Sequence, residues 1–411
     1  MRGIKLLPEA KLILLLTQVI IKNKEEEEIQ ALITTRNINW ERFKRFIIYH
    51  DLAPFISPAL KKYNSLLPSY LVKFLNISYE YYLFKCFAIW EEFIKIVNIF
   101  NKDKISIVPI KGIAILKDLY ERPYLRVIRD LDILVKKQDL LKIEEILERL
   151  GYTKDLCGFK EKYWKQRQYH IAFRRNDSKL LSLPIEIHWG LDYPSKNRQA
   201  PSLDLWNRLS EIKIENSKIK LTSPEDVLFI LALHQRRFGK ILSLKYICDV
   251  ALLLKKYSSK FDWDYVLEQA HNRRICTVLY FILFQTKILL KVNLSKEVLT
   301  QLNISAWKKK IIYWFIKKDT FPCSSNFPIK KLYLIAHFLL YDAFLEAISY
   351  FVTLPQEQFA KFYNLKPYTI NTKLLYKIRL ITMPLLYLFF YLKEKFFRNK
   401  NSNKEVILYD I

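Results

Sequence analysis

The stretch IVPIKGIAILKDLYERPYLRVIRDLDILV, Ile107 to Val135, decides how the rest of the chain is read. Its first apolar run, Ile105 to Ile110, predicts a buried strand that breaks at Gly112, and the spacing of Ile113, Leu116, Lys117 and Tyr120 predicts a helix after it. Asp130 to Val135 then predicts a second strand. Alternate residues of a strand share a face, so Asp130 and Asp132 are expected to point one way and Leu131 and Ile133 into the core. Two carboxylates side by side raise one another's pKa and are natural ligands of a hard cation, so the pair points to a Mg²⁺-type site.

Working outward, residues 101–221 continue in a strand and helix grammar. Lys137 to Leu150 is amphipathic and ends at Gly151, placed to adopt the left-handed conformation that closes a helix. Tyr169 to Arg175 and Leu183 to Trp189 predict two strands joined by an Asn176-Asp177-Ser178 turn. In the second of these, Glu186 and His188 share one face, and Ile185, Ile187 and Trp189 the other. A third carboxylate is thereby offered to the same domain, and it converges on the aspartates if the two strands are neighbours.

Helical periodicity governs the flanks. Residues 1–100 predict helices, with Asn39 as a cap before Trp40, Phe43, Phe46 and Ile47, and with a long aromatic-rich helix from Tyr70 to Phe100. Tyr79, Tyr81, Tyr82, Phe84, Phe87 and Trp90 are assigned to packing within it. Residues 222–295 begin with Ser223-Pro224-Glu225-Asp226, a capping serine followed by a first-turn proline, and predict helices over Val227 to His234 and Leu242 to Lys255. Asp262-Trp263-Asp264 is a second D-x-D. It precedes a helical run, so its acids are read as cap and dipole partners. Residues 296–411 are helical, aromatic and basic.

Composition narrows the class of partner. Lys and Arg outnumber Asp and Glu by 68 to 41, a net charge of +27 spread along the chain. Such a field favours polyanions, although lysines filling exposed helix faces account for it equally. Five scattered cysteines without a C-x-x-C pair indicate neither a disulfide framework nor a zinc site, and a reducing cytoplasm is the simplest compartment. Leu12 to Ile21 lacks the pattern of a signal peptide. Leu380 to Leu392, interrupted by Pro384, is too short to span a bilayer, which leaves a buried helix or a membrane-surface helix, and no transmembrane segment is expected.

Taken together, Pro109-Ile110-Lys111-Gly112, Tyr120, Pro123, Arg126, Asp130-Leu131-Asp132-Ile133-Leu134-Val135, Gly151-Tyr152, Glu186-Ile187-His188-Trp189, His234, Asp249 to Leu254 and Asp262-Trp263 resemble the DNA polymerase β-like nucleotidyltransferase superfamily. Within it they are most similar to a family of uncharacterised bacterial nucleotidyltransferases. The likeness runs over about residues 35 to 295 and more faintly near Leu354 to Leu380. It implies an α+β, mostly helical protein: a small mixed β-sheet nucleotidyltransferase core (101–221), a helical nucleotide-closing subdomain (222–295), and helical regions at 1–100 and 296–411. It further implies transfer of an NMP from an NTP, ATP foremost, to a hydroxyl acceptor, with Asp130, Asp132 and Glu186 as catalytic metal ligands for two Mg²⁺ or Mn²⁺ ions.

The acceptor is left open among an RNA 3′ end, a protein side chain and a small molecule, so RNA or another polyanion is a candidate partner. Glu186 ligates metal or accepts the acceptor's proton, and His188 positions substrate or makes a structural hydrogen bond. The superfamily usually carries Gly-Ser at the glycine turn, whereas Gly112 is followed here by Ile113. Phosphate binding is therefore expected from Lys111 and Gly112 with Arg126 and Arg129, unless those arginines instead orient Asp130 or Asp132 through salt bridges. His234, Lys240, Lys245 and Asp249 are candidates for the border of the cleft. The competing reading is a noncatalytic relative that binds nucleic acid or an anionic surface.

Overall fold

A computed structural model describes residues 6–22, 27–35, 37–156, 161–175, 184–192, 202–214, 217–236, 243–257, 259–319 and 339–343, and beyond these residues 346, 356–362, 365–366 and 368–379. The chain divides into two compact units, Met1–Ala343 and Phe344–Ile411. In the first, α1 (Pro8–Lys22), α2 (Glu27–Thr35), α3 (Trp40–Tyr49), α4 (Ala53–Leu60) and α5 (Ser69–Lys102) precede the sheet. The central region follows as β1 (Ile107–Pro109), α6 (Lys111–Leu119), β2 (Leu131–Val135), α7 (Leu140–Arg149), β3 (Thr153–Asp155), α8 (Glu161–Arg167), β4 (His170–Arg174), β5 (Ile185–His188), α9 (Ser202–Asn207), β6 (Ser210–Ile214) and β7 (Ser217–Leu221). Then come α10 (Pro224–His234), α11 (Leu244–Tyr257), α12 (Trp263–Asn272), α13 (Cys276–Leu290), α14 (Lys296–Gln301) and α15 (Ala306–Asp319). In the second unit α16 (Gln356–Phe362) and α17 (Ile370–Lys377) are joined by an edge-on contact between Phe359 and Tyr376. The protein is thus α+β, mostly helical, with a small mixed sheet.

The sheet has the order β1-β2-β5-β4-β3, with β2 and β5 parallel and the other neighbours antiparallel. Period-2 alternation sets its two faces. Leu131, Ile133, Val135, Ile185 and Ile187 are buried in one apolar cluster with Phe93, Ile96 and Val97 of α5 and Ile143, Ile146 and Leu147 of α7. Val108 and Leu134 join a smaller cluster with Leu205 of α9 and Ile230 of α10 on the other face. Asp132, Glu186 and His188 alternate with the first set, so they emerge on the second face.

The helical flanks share a third core, in which α1, α3 and α4 pack with α10, α11 and α13. The apolar run in α1 is consumed there: Leu12, Ile13, Leu14, Leu16 and Ile21 are buried. Asn39 caps α3 by accepting from the Arg42 amide at 2.9 Å, and Ser223 caps α10 by accepting from the Asp226 amide at 3.2 Å. Asp262 accepts from the Tyr265 amide at 2.9 Å, which makes the second D-x-D a helix start, as its context indicates.

Three expectations need correction. The second strand starts at Leu131 rather than Asp130, so Asp130 stands outside the paired segment. The aromatics of α5 are not all packing residues: Phe84 is 75% exposed and Phe87 and Tyr81 are exposed with it, because a 34-residue helix outruns the core that covers one side of it. The β6–β7 hairpin, absent from the sequence reading, pairs Glu211 with Lys220 and Ile212 with Ile219, and is tied to α5 by Ser217 donating to Asn98 at 2.8 Å. The turn at 176–178, Lys240 and the run 380–392 lie outside the described residues.

Candidate active site

Parallel pairing of β2 with β5 places Asp132 in register with Glu186 and Leu134 with His188. The ligand atoms of Asp132, Glu186 and His188 all lie within 4.8 Å of one another. His188 Nε2 is 2.8 Å from Asp132 Oδ1 and 3.3 Å from Glu186 Oε2. Asp130, half-buried just before the strand, stands outside this group. Asp132 and Glu186, on neighbouring strands, are thus brought together as a carboxylate pair.

Lys111 enters the cluster from the β1–α6 turn. Its ammonium donates to Asp132 and lies 3.8 Å from Glu186 Oε2 and 3.4 Å from His188 Nε2. Its backbone has φ +54°, in the left-handed region that costs a non-glycine residue energy and that is held only where surrounding contacts demand it. Burial pushes the Asp132 carboxyl up, but the Lys111 charge and the hydrogen bond from His188 outweigh it, and the net direction is below the ordinary carboxylate value. An ionised Asp132 only accepts, so His188 donates its Nε2 hydrogen to it.

His170, missed in the sequence, completes this face. It lies opposite His188 in the β4–β5 ladder, and the two rings stack at 4.9 Å and 18°. Its Nε2 is 3.9 Å from Glu186 Oε2. The available signal was the alternation of Tyr169 to Arg175, which puts His170 on the same side as Ala172. His234, with Ile110, Tyr169, Leu191 and Ile230, lines a small cavity that Lys111 and His188 also line.

Arg126 and Asp249, proposed separately as a phosphate fork and a cleft residue, are each other's partners. Arg126 Nε and Nη2 reach the two Asp249 oxygens at 2.9 and 2.8 Å, and the Tyr120 hydroxyl donates to Oδ1 at 2.5 Å. Asp249 is 0% exposed, so the guanidinium fork is committed to the interior, and neither Asp130 nor Asp132 is the carboxylate it orients. The pair also explains Gly112. A Cβ there would lie 2.7 Å from Arg126 Nη1, and the arginine is not able to yield while both arms are held.

Arg129 and Lys245 meet at a residue the sequence reading did not single out, Asp51. Arg129 Nη2 is 2.8 Å from Asp51 Oδ1, and Lys245 Nζ is 2.7 Å from Oδ2. Burial pushes the Asp51 carboxyl up, and the two cations more than reverse it. Arg129 is 51% exposed, next to Asp130, whereas Lys245 is buried. Asp51 follows His50, whose Nδ1 accepts from the Leu244 amide at 3.1 Å, so the end of α3 is fastened to the start of α11.

Among the described residues no helix is long and apolar enough to cross a membrane. No curated protein matches the sequence. A solved structure, that of the lincosamide antibiotic adenylyltransferase LnuA with lincomycin bound, is similar over 39% of this chain and 94% of its own, at 17% identity and a TM-score of 0.27. The model of one family, described as uncharacterised nucleotidyltransferase, matches residues 36–291, the span that holds Asp51, Lys111, Asp132, Glu186, His188 and Asp249. On that match the chain belongs to this nucleotidyltransferase family.

Proposed function

We propose that the protein transfers a nucleoside monophosphate from an NTP, ATP first, to a hydroxyl acceptor, with divalent cations held by Asp132 and Glu186, by Asp130 two residues before Asp132, and by the His188 imidazole once its Nε2 hydrogen has moved to Nδ1. The observation that carries this reading is the register that sets Asp132 against Glu186 on parallel strands, with Lys111 at the adjoining turn. The donor set fits the group: two carboxylates can neutralise a divalent ion, and their ligand atoms sit close enough to share one. The imidazole tilts the set towards Mn²⁺ over Mg²⁺, since nitrogen donors suit transition metals better. When bound, such a cation supplies Lewis-acid stabilisation of the charge that builds on the phosphate oxygens.

The chain's own groups divide the remaining work. Backbone amides at the start of α6 and the Lys111 ammonium face the triphosphate. The acceptor oxygen attacks the α-phosphorus, the bond to the bridging α–β oxygen breaks, pyrophosphate leaves, and the acceptor proton passes to the Glu186 carboxylate. Arg126 and Asp249 hold the floor beneath Gly112 rather than touching phosphate. Arg129 and Lys245, linked through Asp51, draw the nucleotide's charge towards Asp130. The division into residues 1–100, 101–221, 222–295 and 296–411 gives the second and third of these the nucleotide, the third closing over its base. The acceptor class covers an RNA 3′ end, a protein side chain and a small molecule.

The test is to incubate purified protein with each α-labelled NTP, with Mn²⁺ or Mg²⁺, alone, with RNA and with cell extract. Label is expected to move from ATP to an acceptor with release of pyrophosphate, faster with Mn²⁺. Salt-sensitive RNA binding with no label moved to any acceptor would instead favour the noncatalytic reading.

A further inference from the structure

Two carboxylates, Asp132 and Glu186, are gathered on one face of the sheet, and the cation already standing among them is Lys111. Its side chain is only 9% exposed, and its Nζ is shared by all three members of the cluster: paired to Asp132, 3.8 Å from Glu186 and 3.4 Å from His188. A divalent ion bridging these groups needs the same carboxylate oxygens and the same small volume. An ammonium and a divalent cation on one oxygen repel, and in a buried site little solvent screens them. Both together also leave the pair of acids overcharged by one positive unit.

From this competition we infer that Lys111 is the resident counter-ion of the cation site, exchanged for the metal when the metal binds. The inference rests on the proposed function and deepens it. The backbone supports an exchange rather than a fixed pair. Lys111 is the first residue of α6, where its left-handed φ of +54° is paid for by the contacts of its ammonium. Release of Asp132 frees the residue to relax. The released ammonium stays tethered at the start of the same helix, where the amides point towards an anion, so it remains within reach of the triphosphate. Cation loading and the supply of a phosphate-binding charge thus become one event. In the absence of metal the lysine offsets one of the two negative charges and lies between the buried Asp132 and the half-buried Glu186, which helps the fold hold them together.

The experiment measures Mn²⁺ binding without nucleotide, by calorimetry and electron paramagnetic resonance, for wild type and Lys111→Met. Removing the competing charge is expected to tighten Mn²⁺ binding by about tenfold or more. The variant should also be less heat-stable than wild type in chelator and gain more stability from Mn²⁺. Equal or weaker Mn²⁺ binding by the variant overturns the exchange. A second measurement uses wild type alone: acetic anhydride labelling of Lys111, read by mass spectrometry. Mn²⁺ should raise the labelling several-fold, and unchanged protection overturns the proposal even if the variant does not fold. Wild type that moves label from ATP while these two results fail rejects the exchange alone. Neither Mn²⁺ binding nor transfer, in wild type supplied with ATP, rejects the nucleotidyl-transfer reading beneath it.

Discussion

Asp132→Asn is expected to reduce nucleotidyl transfer by about three orders of magnitude, with little change of fold. Loss of a single preorganised electrostatic partner commonly costs ~10²–10³ in rate, and Asp132 serves more than one group. It pairs with Lys111, accepts from His188 and stands in register with Glu186. Asparagine keeps the volume and one oxygen but removes the charge. The site then faces an ammonium with only Glu186 to balance it, and a cation loses the ligand whose carboxyl is held below its ordinary pKa. Labelled-nucleotide transfer under saturating Mn²⁺, with circular dichroism to verify folding, checks the expectation. Activity within tenfold of wild type would remove Asp132 from the chemistry.

Arg126→Ala and Asp249→Ala are expected to act on stability instead. Each leaves its partner buried and uncompensated, and breaking a buried pair in this way costs ~3–5 kcal/mol. The bidentate contact, the additional hydroxyl of Tyr120 and the complete burial of Asp249 place this pair at the upper end of that range. The Asp249 charge holds the Arg126 guanidinium protonated more firmly than usual, although burial opposes it. Burial, reinforced by Asp249, raises the Tyr120 hydroxyl well above its ordinary pKa, so it remains a donor. Tyr120→Phe removes one hydrogen bond and is expected to cost only ~1 kcal/mol. Urea unfolding distinguishes the cases. If Arg126→Ala unfolds like wild type and only weakens NTP binding, the arginine belongs to the phosphate site after all.

The contrast between these two pairs shows what a single sequence reveals. Glu186 and His188 could be placed on one face because strand periodicity is local, and the same rule pairs them with Asp132 once β2 and β5 are neighbours. Asp130 lies just before the paired segment, because strand ends are decided by the pairing partner rather than by the tripeptide. Arg126 and Asp249 are 123 residues apart, and each looked like an isolated charge with several possible uses. Their pairing depends on how α11 packs under the glycine turn, which no local pattern encodes. Asp51 was hidden for the same reason, since it meets Arg129 and Lys245 only after α3 and α11 are brought together. The β6–β7 hairpin has a local signature: Ile212 and Ile214, then Ile219 and Leu221, alternate with charged residues around Glu215-Asn216. In α5 the aromatic pattern predicts a helix correctly, but periodicity does not say which face finds a partner, and Phe84 and Phe87 remain in solvent.

The central claim is that Asp132 and Glu186 hold a cation that carries the nucleotide, with Lys111 displaced onto phosphate. A crystal grown with Mn²⁺ and a non-hydrolysable ATP analogue, measured at the manganese absorption edge, tests it most directly. The expected result is an anomalous peak about 2.0–2.3 Å from oxygens of both carboxylates, with the Lys111 ammonium against a phosphate oxygen. Nucleotide bound elsewhere, or Lys111 still paired with Asp132 and no metal between the acids, would contradict it.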